Sequence, residues 1–365
     1  MGRNLLMTGR NFDSIIFDLD GTLWDASSST AVAWGRVAKK FQLEVSIDDA
    51  KIKNVSGLPF ESCVVILFGT HVKTIPNLQE SLDRAEQDEI IQSGGKLYEG
   101  AANTLRQLSK EYKIYLVSNC QKWYLDTFLD KSELKHVFTD TLCYGQTNQT
   151  KCENIKEIVK RNNINKAIYV GDTHWDQEAA YYAGVKFIFA RYGFGTVNVH
   201  CPVIDCPNDL IALMASTNVV PNVKIRRLKN DEFNSAAAFY KLEGYAQAIQ
   251  KHDRYYAAFY KDNIIGLVRL AFENSTYVLR GMRIKPKFQL FGIGTKLIKL
   301  LEEDIGSSES YCIPHGWLDN FYGQIGFKTI RSKPEAPEFL NERLVENQKK
   351  YPQLILMKRV GAIKK

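Results

Sequence analysis

The stretch Ile15-Ile16-Phe17-Asp18-Leu19-Asp20-Gly21-Thr22 decides the fold. Three apolar residues in succession predict a short strand buried on both faces, as in a parallel sheet covered by helices. Two carboxylates two residues apart at the end of such a strand are costly to bury unless negative charge is needed there. A divalent cation and a phosphoryl group would supply that need. Asp18 is placed to attack phosphorus and Asp20 to move the proton. Gly21 lets the chain turn sharply out of the strand.

Further along the chain, Ile114–Val117, Ala167–Val170 and Lys186–Ala190 are also expected to be strands. Helical stretches such as Ala101–Lys110 and Cys152–Arg161 lie between them. Alternation of this kind predicts a parallel sheet whose active residues collect at the carboxyl ends of its strands. Asp18, Ser118 and Asp172 each sit just past such a run. Ser118 is placed to donate to a phosphoryl oxygen, and Lys151, at the start of a helix, to offset its charge. Asp172 and Asp176 add carboxylates, and oxygen ligands with a charge to neutralise point to Mg²⁺. Each of these residues also has a plain structural role open to it. Ser118 would serve in a turn, Lys151 on the surface and Asp176 at a helix N-terminus, with His174 and Trp175 in packing or at a rim.

Between Trp24 and Gly95 the strand pattern gives way to helical segments, Ser29–Phe41, Ile47–Val55, Pro59–Leu67 and Leu78–Ser93. This predicts a helical lid inserted after the first strand, across about 24–95. Trp24 stands either at its entrance or in the core. A helix over Asn208–Met214 is expected to close the first domain (1–215), and Ser216–Asn222 to link it to a second (223–365). There Val223–Leu228, Tyr255–Tyr260, Ile264–Phe272 and Tyr277–Ile284 predict a meandering antiparallel sheet, with helical material through Gln250 and a hairpin turn at Lys261-Asp262-Asn263. Gln353–Met357 is expected as the last strand. Gln289-Leu290-Phe291-Gly292-Ile293-Gly294 leads into a helix from Thr295, and glycines before a helix N-terminus let the backbone approach a phosphate. Lys285, Lys287 and Lys296 add positive charge around it.

Composition narrows the choices. At 365 residues the chain is long enough for two domains, and no apolar stretch approaches the roughly 20 residues of a membrane helix. No apolar signal core follows the basic N-terminus, so a cytoplasmic location is expected. Seven cysteines without framework spacing fit reduced thiols, and the group His200, Cys201 and Cys206 fits an ordinary loop. Residues 1–220 carry 23 Lys and Arg against 26 Asp and Glu, whereas residues 221–365 carry 25 against 15. The basic half would attract a nucleotide-bearing cofactor or RNA, or is a solvated surface without a partner.

On these motifs, residues 11–214 resemble a haloacid-dehalogenase-superfamily phosphatase of the phosphoglycolate-phosphatase-like group. Asp18-x-Asp20-Gly21-Thr22-Leu23 is similar to its first motif, Ser118-Asn119 to the second, Lys151 to the third and Gly171-Asp172-x-x-x-Asp176 to the fourth. The resemblance implies Mg²⁺ held by Asp18, Asp172 and the main-chain carbonyl of Asp20, with Asp176 in support. It also implies a cap that closes over a small phosphorylated metabolite, with Asn119 and Trp24 on the substrate side. Residues 223–360 resemble a GCN5-related N-acetyltransferase domain. Gln289, Gly292, Ile293, Gly294 and Thr295 match its acyl-CoA pyrophosphate loop, which implies acetyl-CoA, and Tyr322 matches the tyrosine that protonates the leaving thiolate. His315 replaces an asparagine frequent there. No Glu lies within Tyr277–Ile284, and Glu273 is the nearest acid on the preceding strand. The whole is expected to be α/β, a Rossmann-like parallel sheet with an inserted helical cap, followed by an α+β acetyltransferase-like domain. The expected function is a Mg²⁺-dependent phosphatase joined to an acyl-CoA-dependent transferase with an amine acceptor. A non-catalytic CoA-binding regulatory domain is the alternative for the second half. An acyl-carrier-protein glyceryl loader is a further one, disfavoured by the long cap insertion, Gly21 and the full phosphatase set.

Overall fold

Ser14–Phe17 runs through the middle of a six-stranded parallel sheet in a computed structural model that describes residues 11–197, 200–331 and 335–360. The strand order is Asp140–Cys143, Lys113–Ser118, Ser14–Phe17, Ala167–Gly171, Lys186–Ala190, Val203–Ile204. Every residue of Ser14–Phe17 is buried, as the unbroken apolar run requires. On one face Ile16, Tyr115, Tyr169 and Phe187 pack against Ile155, Ile158 and Ala180. Phe17 lies level with both Leu116 and Val170. That register brings the ends of three strands, and so Asp18, Ser118 and Asp172, to one edge of the sheet. The strands Asp140–Cys143 and Val203–Ile204 were not expected; one is half-exposed and the other only two residues long, so neither has an apolar pattern.

The chain leaves this sheet through Trp24–Asp25 and returns through Lys96–Leu97, which pair antiparallel. Between them lie the helices Ser27–Lys40, Asp49–Val55, Phe60–Phe68 and Leu78–Ser93, with a single turn at His71–Thr74. Trp34, Val64, Phe68 and Leu82 form their own small core. The insertion is thus a helical cap with a two-stranded root. At the far end of this unit the helix Asp209–Thr217 runs past Met214 into the expected linker, since Thr217 is buried and its Oγ1 donates to the carbonyl of Met214 at 2.7 Å.

The chain divides into two compact units, residues 1–219 and 220–365. In the second, seven strands follow the order Phe327–Thr329, Met357–Arg359, Ser310–Cys312, Thr276–Ile284, Asn263–Glu273, Arg254–Tyr260, Lys224–Arg227. The sheet is not a pure antiparallel meander, because Thr276–Ile284 and Ser310–Cys312 pair in parallel across the helix Ile293–Ile305. Alternation along Arg254–Tyr260 serves both faces. Tyr255 and Ala257 meet the helix Phe233–Leu242, while Tyr256 and Ala258 meet Ile293–Ile305. Lys261 and Asp262 both take positive φ, the geometry of a tight hairpin.

Two expectations need correction. The helix after the first strand of this unit stops at Leu242, ahead of Gly244 at φ 66°, and does not reach Gln250. The last strand is Met357–Arg359, not Gln353–Met357. Its charged end is masked in the sequence because Arg359 is buried and donates to the carbonyls of Ile325 and Gly306, each at 2.7 Å. Residues 332–334, within the polar stretch before that strand, and 1–10 lie outside the described residues. Among the described residues no helix is long and apolar enough to cross a membrane.

Arg269 and Asp253 form an ion pair with both side chains 1% exposed, and Arg269 also donates to the carbonyl of Ala248 at 2.9 Å. Asp253→Ala leaves that guanidinium buried without its counter-charge, a change that costs roughly 3–5 kcal/mol. The expected outcome is a lower unfolding midpoint for the second unit in denaturant titrations of the full chain; an unchanged midpoint would show that the pair carries no such load.

Candidate active site

At the carboxyl edge of the parallel sheet, Lys151 stands buried between two carboxylates. Its Nζ lies 2.7 Å from Asp18 Oδ1 and 2.6 Å from Asp176 Oδ1. Burial alone would lower the lysine pKa, but Asp176 and Asp18 lift it well above its ordinary value, so it is a cation. The lysine starts the helix Lys151–Arg161, which Thr150 caps through a reciprocal pair of bonds with Glu153. Asp176 does two things. Its Oδ2 accepts from the amide of Thr173 at 3.0 Å and the hydroxyl at 2.6 Å, capping the helix His174–Tyr182, while Oδ1 holds the lysine. Asp176 is therefore at once a helix-start residue and a partner of the buried lysine.

One carboxylate oxygen from each of Asp18, Asp172 and Asp176 lies within 4.8 Å of the others. Burial first, then the charge of Asp176, raises the pKa of Asp18; burial and Asp176 push Asp172 up to about 7. Oδ2 of Asp18 is buried and, among the described residues, has no hydrogen-bond partner. Three buried carboxylates against one lysine leave an excess of negative charge, and a hard divalent cation fits such an oxygen set. Asp172 is held by the amide of Phe194 at 2.7 Å and by Thr22 Oγ1 at 3.3 Å. Asp20 is pushed up to about 6, chiefly by burial, against a short hydrogen bond donated by Tyr124. Ser118 Oγ accepts from the amide of Cys120 at 3.2 Å, which leaves its own proton to donate.

Above these groups the cap roofs a cavity of ≈ 90 Å³ whose lining includes Asp18, Asp20, Ser118 and Asn119. Asn119 Nδ2 donates to the carbonyl of Gly57 in the cap at 2.7 Å, and Trp123 Nε1 to Asp83 at 3.1 Å. Trp24 does not line the cavity. It is buried at the cap root, edge-on to Phe128 at 5.4 Å, because the Trp24–Asp25 strand turns its ring inward. Trp34 and Trp123 line the cavity instead.

Residues 15–190 match the haloacid dehalogenase-like hydrolase model, and residues 224–339 match the acetyltransferase (GNAT) domain model. A phosphoglycolate phosphatase of Aquifex aeolicus is 30% identical over 216 residues, which are 55% of this chain and 95% of that protein. The chain belongs to the haloacid dehalogenase-like hydrolases. Solved structures similar to it include a predicted phosphatase from Clostridium acetobutylicum (19% identity, TM-score 0.49, 56% of this chain and 99% of that one). Another is a haloacid dehalogenase-like hydrolase from Bacteroides fragilis (22%, TM-score 0.48, 55% and 99%). This haloacid dehalogenase-like hydrolase therefore joins a phosphatase-type unit to a C-terminal acetyltransferase domain.

Several residues around the hydrolase site gave no sequence signal. Tyr124 reaches Asp20 from the helix Lys122–Ser132, and Glu86 enters the cavity from the cap helix Leu78–Ser93. The turn Tyr192-Gly193-Phe194 was legible in principle, being a glycine turn just past the strand Lys186–Ala190. It brings the amide of Phe194 to Asp172.

In the acetyltransferase domain, Gly292 at φ 67° precedes the helix Ile293–Ile305, so Ile293, Gly294 and Thr295 form its first turn. Gln289 lies in the short helix Pro286–Phe291 and donates to the carbonyl of Ile284 at 3.1 Å. Tyr322 is buried, which raises its pKa and keeps the hydroxyl protonated. His315 stacks on Trp317 at 4.3 Å, and burial, with Arg283 nearby, lowers its pKa to about 4. Burial would raise Glu273, but Arg280 and Arg343, each at 2.6 Å, hold it below the ordinary range. Among the described residues the potential metal-ligand group is the aspartate set; His200, Cys201 and Cys206 form none.

Gly21 adopts φ 80°, and a Cβ there would lie 2.1 Å from Asp172 Oδ2. Gly21→Ala should cost about 1–2 kcal/mol of stability from the backbone alone and push Asp172 off its position. Thermal unfolding together with a crystal structure of the variant would check this; an unmoved Asp172 would contradict it.

Proposed function

We propose that the first unit hydrolyses a small phosphomonoester with Mg²⁺ through a phosphorylated Asp18. The carrying observation is Asp18 itself, buried on the floor of the capped cavity with one oxygen on Lys151 and the other unpartnered. In the first step an Asp18 oxygen bonds to phosphorus as the phosphorus–oxygen ester bond breaks, and Asp20 gives its proton to the departing alcohol. Burial favours the protonated form of Asp20 that this step needs. In the second step a water attacks phosphorus, Asp20 takes its proton, the bond to Asp18 breaks and phosphate leaves. Ser118 donates to a phosphoryl oxygen. Lys151 opposes the rise in the Asp18 pKa and orients its carboxylate, with Asp176 fixing the lysine. Asp18, Asp172 and the main-chain carbonyl of Asp20, supported by Asp176, would hold Mg²⁺, which supplies positive charge to the phosphoryl oxygens. The cap over the cavity would limit the access of bulk water.

Asp18→Asn should fold and lose phosphate release from small phosphomonoesters by roughly a thousandfold or more, and removal of Mg²⁺ with EDTA should silence the wild type. Near-normal turnover in either case would refute this assignment.

For the second unit the reading is acyl-CoA binding at the N-terminus of Ile293–Ile305, with transfer of the acyl group to an amine. The first turn of a 13-residue helix carries backbone N–H groups that no side-chain cap occupies, the arrangement that suits a pyrophosphate. Tyr322 would return a proton to the CoA thiolate. Glu273 is engaged by two arginines and does not serve as the base. A Cβ on Gly294 would lie 3.3 Å from the Phe321 ring, so Gly294→Val crowds the turn where the phosphates approach. Calorimetry should show acetyl-CoA binding to the wild type and roughly tenfold or weaker binding to the variant. No wild-type binding at millimolar acetyl-CoA would remove the assignment.

A further inference from the structure

The cavity above Asp18 has a chemical bias that the phosphate-handling groups do not explain. Its ≈ 90 Å³ corresponds to roughly six to nine water positions, a space for a small organic group. Glu86 forms part of its wall, only 8% exposed. The helix Ser27–Lys40 fixes its orientation: Thr30 Oγ1 donates to Oε1 at 2.8 Å and Trp34 Nε1 to Oε2 at 3.2 Å. Asn119 is oriented by its bond to Gly57, which leaves its Oδ1 buried and, among the described residues, without a partner. The wall thus offers acceptors, Glu86 and Asn119 Oδ1.

Among the described residues, cations are missing from the same wall: no Lys, Arg or His lines the cavity. Lys151 is committed to Asp18 and Asp176 beneath it. Lys53, over the Phe194 ring at 5.5 Å, is paired with Asp25 at 3.2 Å and Asp49 at 2.8 Å. The pKa of Glu86, pushed up to about 8 mainly by burial and further by Asp20, agrees with a pocket already short of positive charge. A substrate carboxylate entering here would meet the carboxyl oxygens of Glu86 and the amide oxygen of Asn119 with no cation in the described wall to balance its charge, and an uncompensated buried charge disfavours a ligand strongly.

Resting on the phosphatase reading above, we infer that the substrate is a phosphomonoester whose alcohol half bears a hydroxyl or ammonium donor and no carboxylate, selected by Glu86 and Asn119 Oδ1. Glu86 is a specificity residue. The inference separates this chain from its Aquifex relative, a phosphoglycolate phosphatase by name.

The test is kcat/KM of the full chain with Mg²⁺, read as released phosphate, for glycerol 1-phosphate, O-phosphoethanolamine, ethyl phosphate and 2-phosphoglycolate. Ethyl phosphate has neither donor nor carboxylate. At least one donor-bearing ester should exceed 2-phosphoglycolate by about 100-fold or more, with ethyl phosphate between them; which of the two is faster distinguishes hydroxyl from ammonium. Glu86→Gln, which keeps the volume but puts an amide donor where a carboxyl oxygen accepted, should narrow the gap by about tenfold or more. Equal or faster turnover of 2-phosphoglycolate, ethyl phosphate outrunning both donor-bearing esters, or an unchanged ratio in a folded Glu86→Gln would overturn the inference. The wild-type ranking decides it even if the variant does not fold. If none of these esters, nor acetyl phosphate, releases phosphate, the phosphatase reading itself falls and this inference with it.

Discussion

The buried contact of Lys151 with Asp18 and Asp176 is the constraint on which the hydrolase unit depends. It joins the end of the central strand, the start of one helix and the first turn of another through a single ammonium group. Taken alone such a cluster is expensive, since each ion gives up water and the carboxylates repel one another. Local geometry offsets part of this, because Asp176 gains two hydrogen bonds from Thr173 in the same position. The remaining negative charge is what a divalent cation would offset under the reading proposed for this site.

Much of this was visible in the chain because strand ends carry their own marker, an apolar run stopped by a polar residue. Ile15–Phe17 before Asp18 and Ala167–Val170 before Asp172 locate the site without reference to anything distant. Tyr124 and Glu86 were not visible for the opposite reason. Each lies on an amphipathic helix whose pattern is that of any packed surface, and each acquires a role only when that helix meets a separate part of the chain. Trp24 shows the limit from another side. Adjacency in sequence to the first motif suggested the cavity, but the alternation of side chains along a two-residue strand points its ring into the core.

In the second unit the strands Arg254–Tyr260 and Asn263–Glu273 were plain because they alternate aromatic and aliphatic residues around a tight turn. Met357–Arg359 was not. A buried arginine that spans to two carbonyls looks, in sequence, like the start of a solvated tail. The parallel pairing of Thr276–Ile284 with Ser310–Cys312 likewise leaves no local trace, since the intervening helix is compatible with either direction.

The place of Ser14–Phe17 in the sheet bears on how the chain is made. Ile15 sits between Ile114 and Ile168, so the strand synthesised first has neighbours that arrive about a hundred and about a hundred and fifty residues later. At roughly 5–20 residues per second, the later partner follows after on the order of 8–30 s. All the residues of the cap core, which span 31–85, are made within that interval. Until Lys113–Ser118 is made the apolar central strand has no sheet partner, and until residue 151 is made Asp18 has no lysine. Vectorial synthesis therefore places the longest wait between paired strands on the segment that carries Asp18, and the sheet is completed outward from it, with Lys186–Ala190 and Val203–Ile204 added at one edge last.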